Sequence, residues 1–154
     1  MNTSVVNLYN KEYYNSSLSA GTSPNFRFNH VSDNNLEAIQ LIKSFATLKL
    51  NWDSYGAEKP NQIAITKAVS FIVWISEFNQ DVFFAAPSPD GNIVVELKQH
   101  YANLEFEFCS NAEDSVCAFH SQEFMNEAEL NDTTKVSYLK WLVCPDGKCP
   151  PKLV

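Results

Sequence analysis

Apolar and polar residues alternate over two stretches in the second half of the chain. Leu104, Phe106 and Phe108 are separated by Glu105 and Glu107, and Ile93, Val95 and Leu97 alternate with Val94, Glu96 and Lys98. A period of two marks a strand with one buried face and one wet face. Upstream, Val82 to Ala86 reads as another strand, followed by the turn sequence Pro87-Ser88-Pro89-Asp90-Gly91-Asn92. Downstream, Asn111 to Asp114 turns the chain and Ser115 to His120 reads as a fourth strand. Four strands joined by short turns form an antiparallel meander. Its wet face presents Glu96, Glu105 and Glu107, with Lys98 as a local counter-charge.

Before the strands the period changes to that of helices. The first helix is placed from Asn34, with Glu37 positioned to reach back as in a capping box. Ala38, Ile39, Leu41, Ile42, Phe45 and Leu48 form its buried side, opposite Glu37, Gln40, Lys43, Ser44 and Thr47. The second helix begins near Pro60-Asn61 and runs to about Phe78. Ile65, Ala68, Val69, Phe71, Ile72, Val73, Ile75 and Phe78 surround most of it, so it must be covered on more than one side. Its polar arc holds Thr66, Lys67, Ser70 and Glu77, and Trp74 falls in the same arc. That tryptophan is either laid flat under the N-terminal arm or exposed for a partner. A last helix, capped by Asn131 or Asp132, carries Val136, Tyr138, Leu139, Trp141, Leu142 and Val143.

These elements predict an α+β fold: two N-terminal helices packed on an antiparallel four-stranded meander, with a C-terminal helix. The second helix should pack on Ile93, Val95, Leu97, Leu104, Phe106 and Phe108. Residues 1–33 form a loop-rich arm with short strand-like pieces at 5–9 and 26–28. Residues 34–143 form one α+β domain, and 144–154 form a Cys- and Pro-rich tail that cannot continue a helix.

The two N-terminal helices are separated by Asn51-Trp52-Asp53-Ser54-Tyr55-Gly56-Ala57. Gly56 suits a positive φ, and Asn51 and Asp53 suit local backbone bonds. Trp52 and Tyr55 either wedge between the flanking helices as a rigid corner or stand out as a recognition pair. With the helix that follows and the P-x-P-D-G turn between strands, NWDSYGA resembles an uncharacterised group of small bacterial and phage proteins. The shared pattern is an NWD-G/S-YGA loop, a helix and a P-x-P-D-G strand hairpin. The likeness covers about residues 36 to 142. It departs at Asn92, after Asp90-Gly91, and at Leu97, where a tryptophan is common. It implies a fold unit and carries no activity. Where such proteins occur implies a setting in phage–host conflict or toxin neutralisation.

At 154 residues one domain is expected, burying roughly two-thirds of its unfolded surface. No run approaches the length of a membrane span, and no secretory signal opens the chain, so a cytoplasmic location is expected. The net charge of −7 is unevenly spread. From Glu77 to Asp132 there are twelve acidic residues and one basic residue, Lys98. Direct nucleic-acid binding is disfavoured, because phosphates need clustered Lys and Arg and the chain has a single arginine, Arg27. The acidic half fits a partner with a basic surface, or is simply a solvated face.

Candidate chemistry is sparse. His30, His100 and His120 lie in no nucleophile motif, and no Gly-rich phosphate loop is present. Cys109, Cys117, Cys144 and Cys149 supply a zinc ligand set, with His120 as substitute, but their spacings miss those of zinc ribbons. Cys144 and Cys149 also bracket a turn that a disulfide would close. Four free thiols is the plainer reading. Glu105 and Glu107 are a carboxylate pair with no base partner in view. No cofactor is implied. The sequence therefore points to a non-enzymatic protein-binding module, with Trp52, Tyr55, Trp74, Glu96, Glu105 and Glu107 as candidate binding residues. Its partner is a protein with a basic surface, or a second copy gripped through Trp74. The alternative is an enzyme or metal-binding protein whose site is scattered along the chain.

Overall fold

The structure is a computed structural model that describes residues 31–144. The expected arm strands, the tail after Cys144, and His30 and Cys149 lie outside the described residues. The elements in chain order are α1 (Asp33–Ser44), a 3-10 turn (Phe45–Thr47) and α2 (Gln62–Ser76). They continue with β1 (Phe84–Pro87), β2 (Ile93–Gln99), β3 (Ala102–Phe108), β4 (Ser115–His120), β5 (Glu123–Glu129) and α3 (Asp132–Leu142). The strands form one antiparallel sheet in sequence order, with five strands where four were expected. The fold class is α+β.

Each helix starts where a side chain can satisfy its first amides. At α1 the cap is Ser32, whose Oγ accepts from the Asn35 N–H at 3.1 Å. The expected start at Asn34 with a Glu37 capping box is therefore one turn-residue late: an extended serine already supplies the acceptor. At α2 Asn61 accepts from the Ile63 N–H at 2.8 Å. At α3 Asn131, not Asp132, is the cap. It accepts from the Thr133 and Thr134 N–H groups while the Thr134 hydroxyl accepts from the Asn131 N–H.

One face of the sheet carries Ala85, Ile93, Val95, Leu97, Leu104, Phe106, Phe108, Val116, Ala118 and Ala128, all buried in a core shared with the helices. α1 packs on α2 and β1, α2 on β2 and β3, and α3 on β3. The expected contact of the second helix with the sheet is present: the Phe71 ring lies 4.4 Å from Phe106 and 5.2 Å from Phe108, centroid to centroid. Offset and tilted aromatic contacts of this kind add to the area they bury. Lys67, from the polar arc of α2, fastens the helix to the sheet's end. Its Nζ donates to Asp114 Oδ1 at 2.9 Å and to the Cys109 carbonyl at 2.7 Å.

Two expected core positions are corrected. Leu41 is 47% exposed and Phe78 46% exposed. Leu41 lies on the solvent side of α1, and α2 ends at Ser76 rather than near Phe78, which leaves Phe78 in the turn that follows. Conversely Asn35 is fully buried. Its amide donates to Ser76 Oγ and the Gln80 carbonyl, and its Oδ1 accepts from the Val82 N–H. A buried amide is tolerated because all of these groups find partners. It ties α1 to the end of α2 and the entry of β1.

Candidate functional site

All the helices lie on one face of the sheet, and among the described residues no element covers the other. The register arranges that bare face in cross-strand rows. In the central row Phe84 lies opposite Glu96, Glu96 opposite Glu105, Glu105 opposite Cys117, and Cys117 opposite Glu127. The next row runs Ala86, Val94, Glu107, Ser115 and Glu129. The row on the other side runs Lys98, Asn103, Phe119 and Phe124. Five glutamates thus share two adjacent rows, with aromatic rings at their rim. Phe84 is 50% and Phe124 59% exposed, and Phe119 meets Phe124 edge-on at 5.9 Å.

The electrostatics follow from that placement. Glu96 and Glu105 are directly opposed like charges, an arrangement that costs a sheet stability. Glu105 is half-buried by its neighbours rather than exposed as expected, and so is Glu107. The flanking strands screen the middle of a five-stranded face more than its edge. Burial first, then Glu96 and Glu107, push the Glu105 carboxyl above the usual glutamate value. Burial, then Glu127, Glu105 and Glu107, push the Cys117 thiol up to about 11. A thiol held protonated at neutral pH is a poor nucleophile and a poor metal ligand. Glu107 accepts from the Asn92 side chain at 2.9 Å. Lys98 does not serve as the expected counter-charge. Its ammonium lies over the Phe83 ring, 4.9 Å from the centroid, and among the described residues it forms no ion pair with these glutamates.

The other candidate residues are not brought to this face. Trp74 lies on the helical side of the sheet, half-buried against Phe71 and Phe78 at centroid distances of 5.8 and 4.9 Å. Lys135 of α3 places its ammonium 5.9 Å from the ring centroid. The chain's own α3 therefore does part of what was assigned to the arm or a partner. Trp74 and the glutamates cannot form one docking surface, because the sheet separates them.

The 51–57 loop is a closed corner. Asn51 N–H donates to the Ala57 carbonyl, Asn51 Oδ1 accepts from Gly56 N–H, and Asp53 Oδ1 accepts from the Tyr55 and Ala57 N–H groups. Those last two bonds, in that order, hold the Asp53 carboxyl below the usual aspartate range. Gly56 adopts φ +97°, and Asn51 and Ser54 also take positive φ. The corner docks on the β1–β2 turn: Glu58 N–H donates to the Pro89 carbonyl and Asn61 N–H to the Gly91 carbonyl. Trp52 is half-buried and donates to the Glu58 carbonyl at 3.0 Å, whereas Tyr55 is 94% exposed and wedges between nothing. Beside the corner, Ala46, Lys59, Pro60, Asn61 and Gln62 line a shallow open hollow of about 250 Å³ that holds no carboxylate, thiol or imidazole.

Cys109 is buried, Cys117 half-buried and Cys144 exposed, each a free thiol. Among the described residues no group of three or more His, Cys, Asp or Glu is placed to hold a metal ion, and no helix is long and apolar enough to cross a membrane. Glu127, Glu129, Phe84, Phe119 and Phe124 are face residues that sequence reasoning missed. The alternation of Glu127, Ala128 and Glu129 was a signal for the first two, but one alanine is a weak apolar mark. No protein-family model, curated protein or solved structure matches the chain.

Proposed function

We propose that this chain is a protein-binding module that docks a basic partner surface on the bare face of its sheet. The observation that carries this reading is the pair of adjacent cross-strand rows holding Glu96, Glu105, Glu107, Glu127 and Glu129. Opposed like charges work against folding, and a cationic partner would relieve them. Phe84 and Phe124 at the rim add the apolar contact that charge alone does not supply. The sign of the field repels phosphate, so the partner is a protein rather than a nucleic acid. A second copy docked face to face would bring glutamates against glutamates, which disfavours self-association through this surface. The likeness of the NWDSYGA unit to small bacterial and phage proteins suggests phage–host conflict or toxin neutralisation as the setting.

The test is capture of partners from the native host at low salt by the wild type and by Glu105→Lys/Glu107→Lys. The association rate of each captured protein is then followed as salt rises. Electrostatic steering predicts a rate that falls steeply with salt and capture that is lost in the double variant. Capture by the double variant equal to wild type for every partner would overturn the reading.

A further inference from the structure

A five-stranded open sheet has two edges, and here they differ. β1 has four residues and ends at Pro87, which has no N–H to donate. A short, proline-ended strand is a poor template for further pairing. β5 has seven residues, contains no proline and is the outermost strand on the other side. Among the described residues no strand pairs with its outer edge, and only the Glu129 carbonyl at its end is taken, by the Thr134 hydroxyl at 2.9 Å. The backbone groups along the rest of that edge are therefore ready to accept another strand.

The side chains state what kind of strand fits. Glu127 and Glu129 lie opposite Cys117 and Ser115, so they project onto the bare face and end the two acidic rows there. Ala128 lies opposite Val116 and is buried at the margin of the core. Phe124 is 59% exposed beside them. An added strand would set its own residues about 5 Å from these. Lysine or arginine on the bare side would meet Glu127 and Glu129. Small apolar residues on the other side would lie next to Ala128 and extend the core. A β5 edge from a second copy would instead add more glutamates to the same face.

We infer that the outer edge of β5 takes up an extended segment of a partner protein in which basic and aliphatic residues alternate. The inference rests on the docking-module reading and adds the mode of binding: the partner continues the sheet rather than merely lying across it.

The experiment uses the full-length chain labelled with nitrogen-15 and a synthetic peptide of alternating lysine and valine. Amide shifts and hydrogen exchange are followed during titration. Edge pairing predicts that the outward-pointing amides of residues 123–129 shift and become protected from exchange. Glu127→Lys/Glu129→Lys, at two exposed positions, should melt no lower than the wild type and bind the peptide about tenfold or more weakly. Shifts confined to the strands bearing Glu96, Glu105 and Glu107, with β5 exchange unchanged, would overturn edge pairing and leave face docking standing. An unperturbed spectrum would overturn both. Equal peptide affinity in the double variant would also overturn the edge proposal.

Discussion

The two faces of this sheet are made from the same strands, yet they do opposite things. On the covered face Val95 opposes Phe106 and Leu97 opposes Leu104, and all four are at most 1% exposed. On the bare face the residues between them bring Glu96 against Glu105 and crowd Glu107 beside them. Burial of apolar area favours folding at roughly 25 cal/mol per Å², whereas opposed like charges oppose it. Stability is therefore built on the covered face, while the charges of the bare face work against it. Substitutions on the two faces should differ in both size and sign.

The largest effect is expected at Phe106→Ala. The side chain is fully buried, and its ring touches Phe71 of α2. Deleting it should cost about 3–5 kcal/mol, from lost transfer energy and the cavity left behind. Urea unfolding measures this. A cost below about 1 kcal/mol would mean that the covered face does not carry the stability assigned to it.

The end of the sheet, where the 51–57 corner meets the β1–β2 turn, gives a second comparison. Gly56 and Gly91 both have positive φ, +97° and +79°. A Cβ on Gly56 meets nothing within 4 Å, whereas one on Gly91 falls 2.8 Å from the Lys59 carbonyl oxygen. Gly56→Ala should therefore cost about 1 kcal/mol, from backbone strain alone. Gly91→Ala adds overpacking against backbone and should cost about 2–4 kcal/mol. Equal melting shifts for the two would show that the corner is not clamped on the turn.

These regions also show what the sequence makes legible. Strict alternation in β2 and β3 is enough to assign their faces, because a one-residue slip would bury Glu105 and expose Phe106. The positive φ of Gly56 and the Asx bonds of Asn51 and Asp53 follow from turn chemistry. β5 does not follow. Of Glu123 to Glu129 only Ala128 is buried, and an irregularity at Ala118/Phe119 breaks the register before it. Missing β5 hid Glu127 and Glu129, and with them the width of the acidic face. The approach of Lys135 to Trp74 was not legible, because a helical wheel cannot show that α3 returns to place its ammonium over the ring. Asn35 was unreadable for the same reason: its partners lie 41 to 47 residues away.

Asn35 sharpens the comparison from within the covered layer. Asn35→Ala would leave the Val82 N–H and the Gln80 carbonyl without their partner. Such orphaned groups cost about 1–3 kcal/mol. Amide exchange at Val82 that is faster than in the wild type, with the sheet itself unchanged, would locate the loss at the junction of α1 with the entry to β1. Unchanged exchange at Val82 would mean that solvent replaces the bond.

The smallest expected effect lies on the bare face, and it has the opposite sign. Glu105→Gln removes one member of the opposed pair while keeping the side chain's size. At about pH 7 it should raise stability by about 0.2–1 kcal/mol, nearer the lower figure because solvent screens much of the repulsion. The pH dependence follows from the raised carboxyl. Between the usual glutamate value and the higher folded value, the folded chain binds a proton that the unfolded chain has released. The wild-type fold is therefore helped at this position as pH falls through that window, and the help is lost as pH rises through it. Glutamine has no such proton, so the advantage of the variant should be largest at neutral pH and shrink on acidification. Paired urea titrations at about pH 7 and about pH 4 measure the difference. A variant less stable than wild type at neutral pH would show that the Glu105 carboxylate makes a favourable contact there, and the contrast between the two faces would fail at its centre.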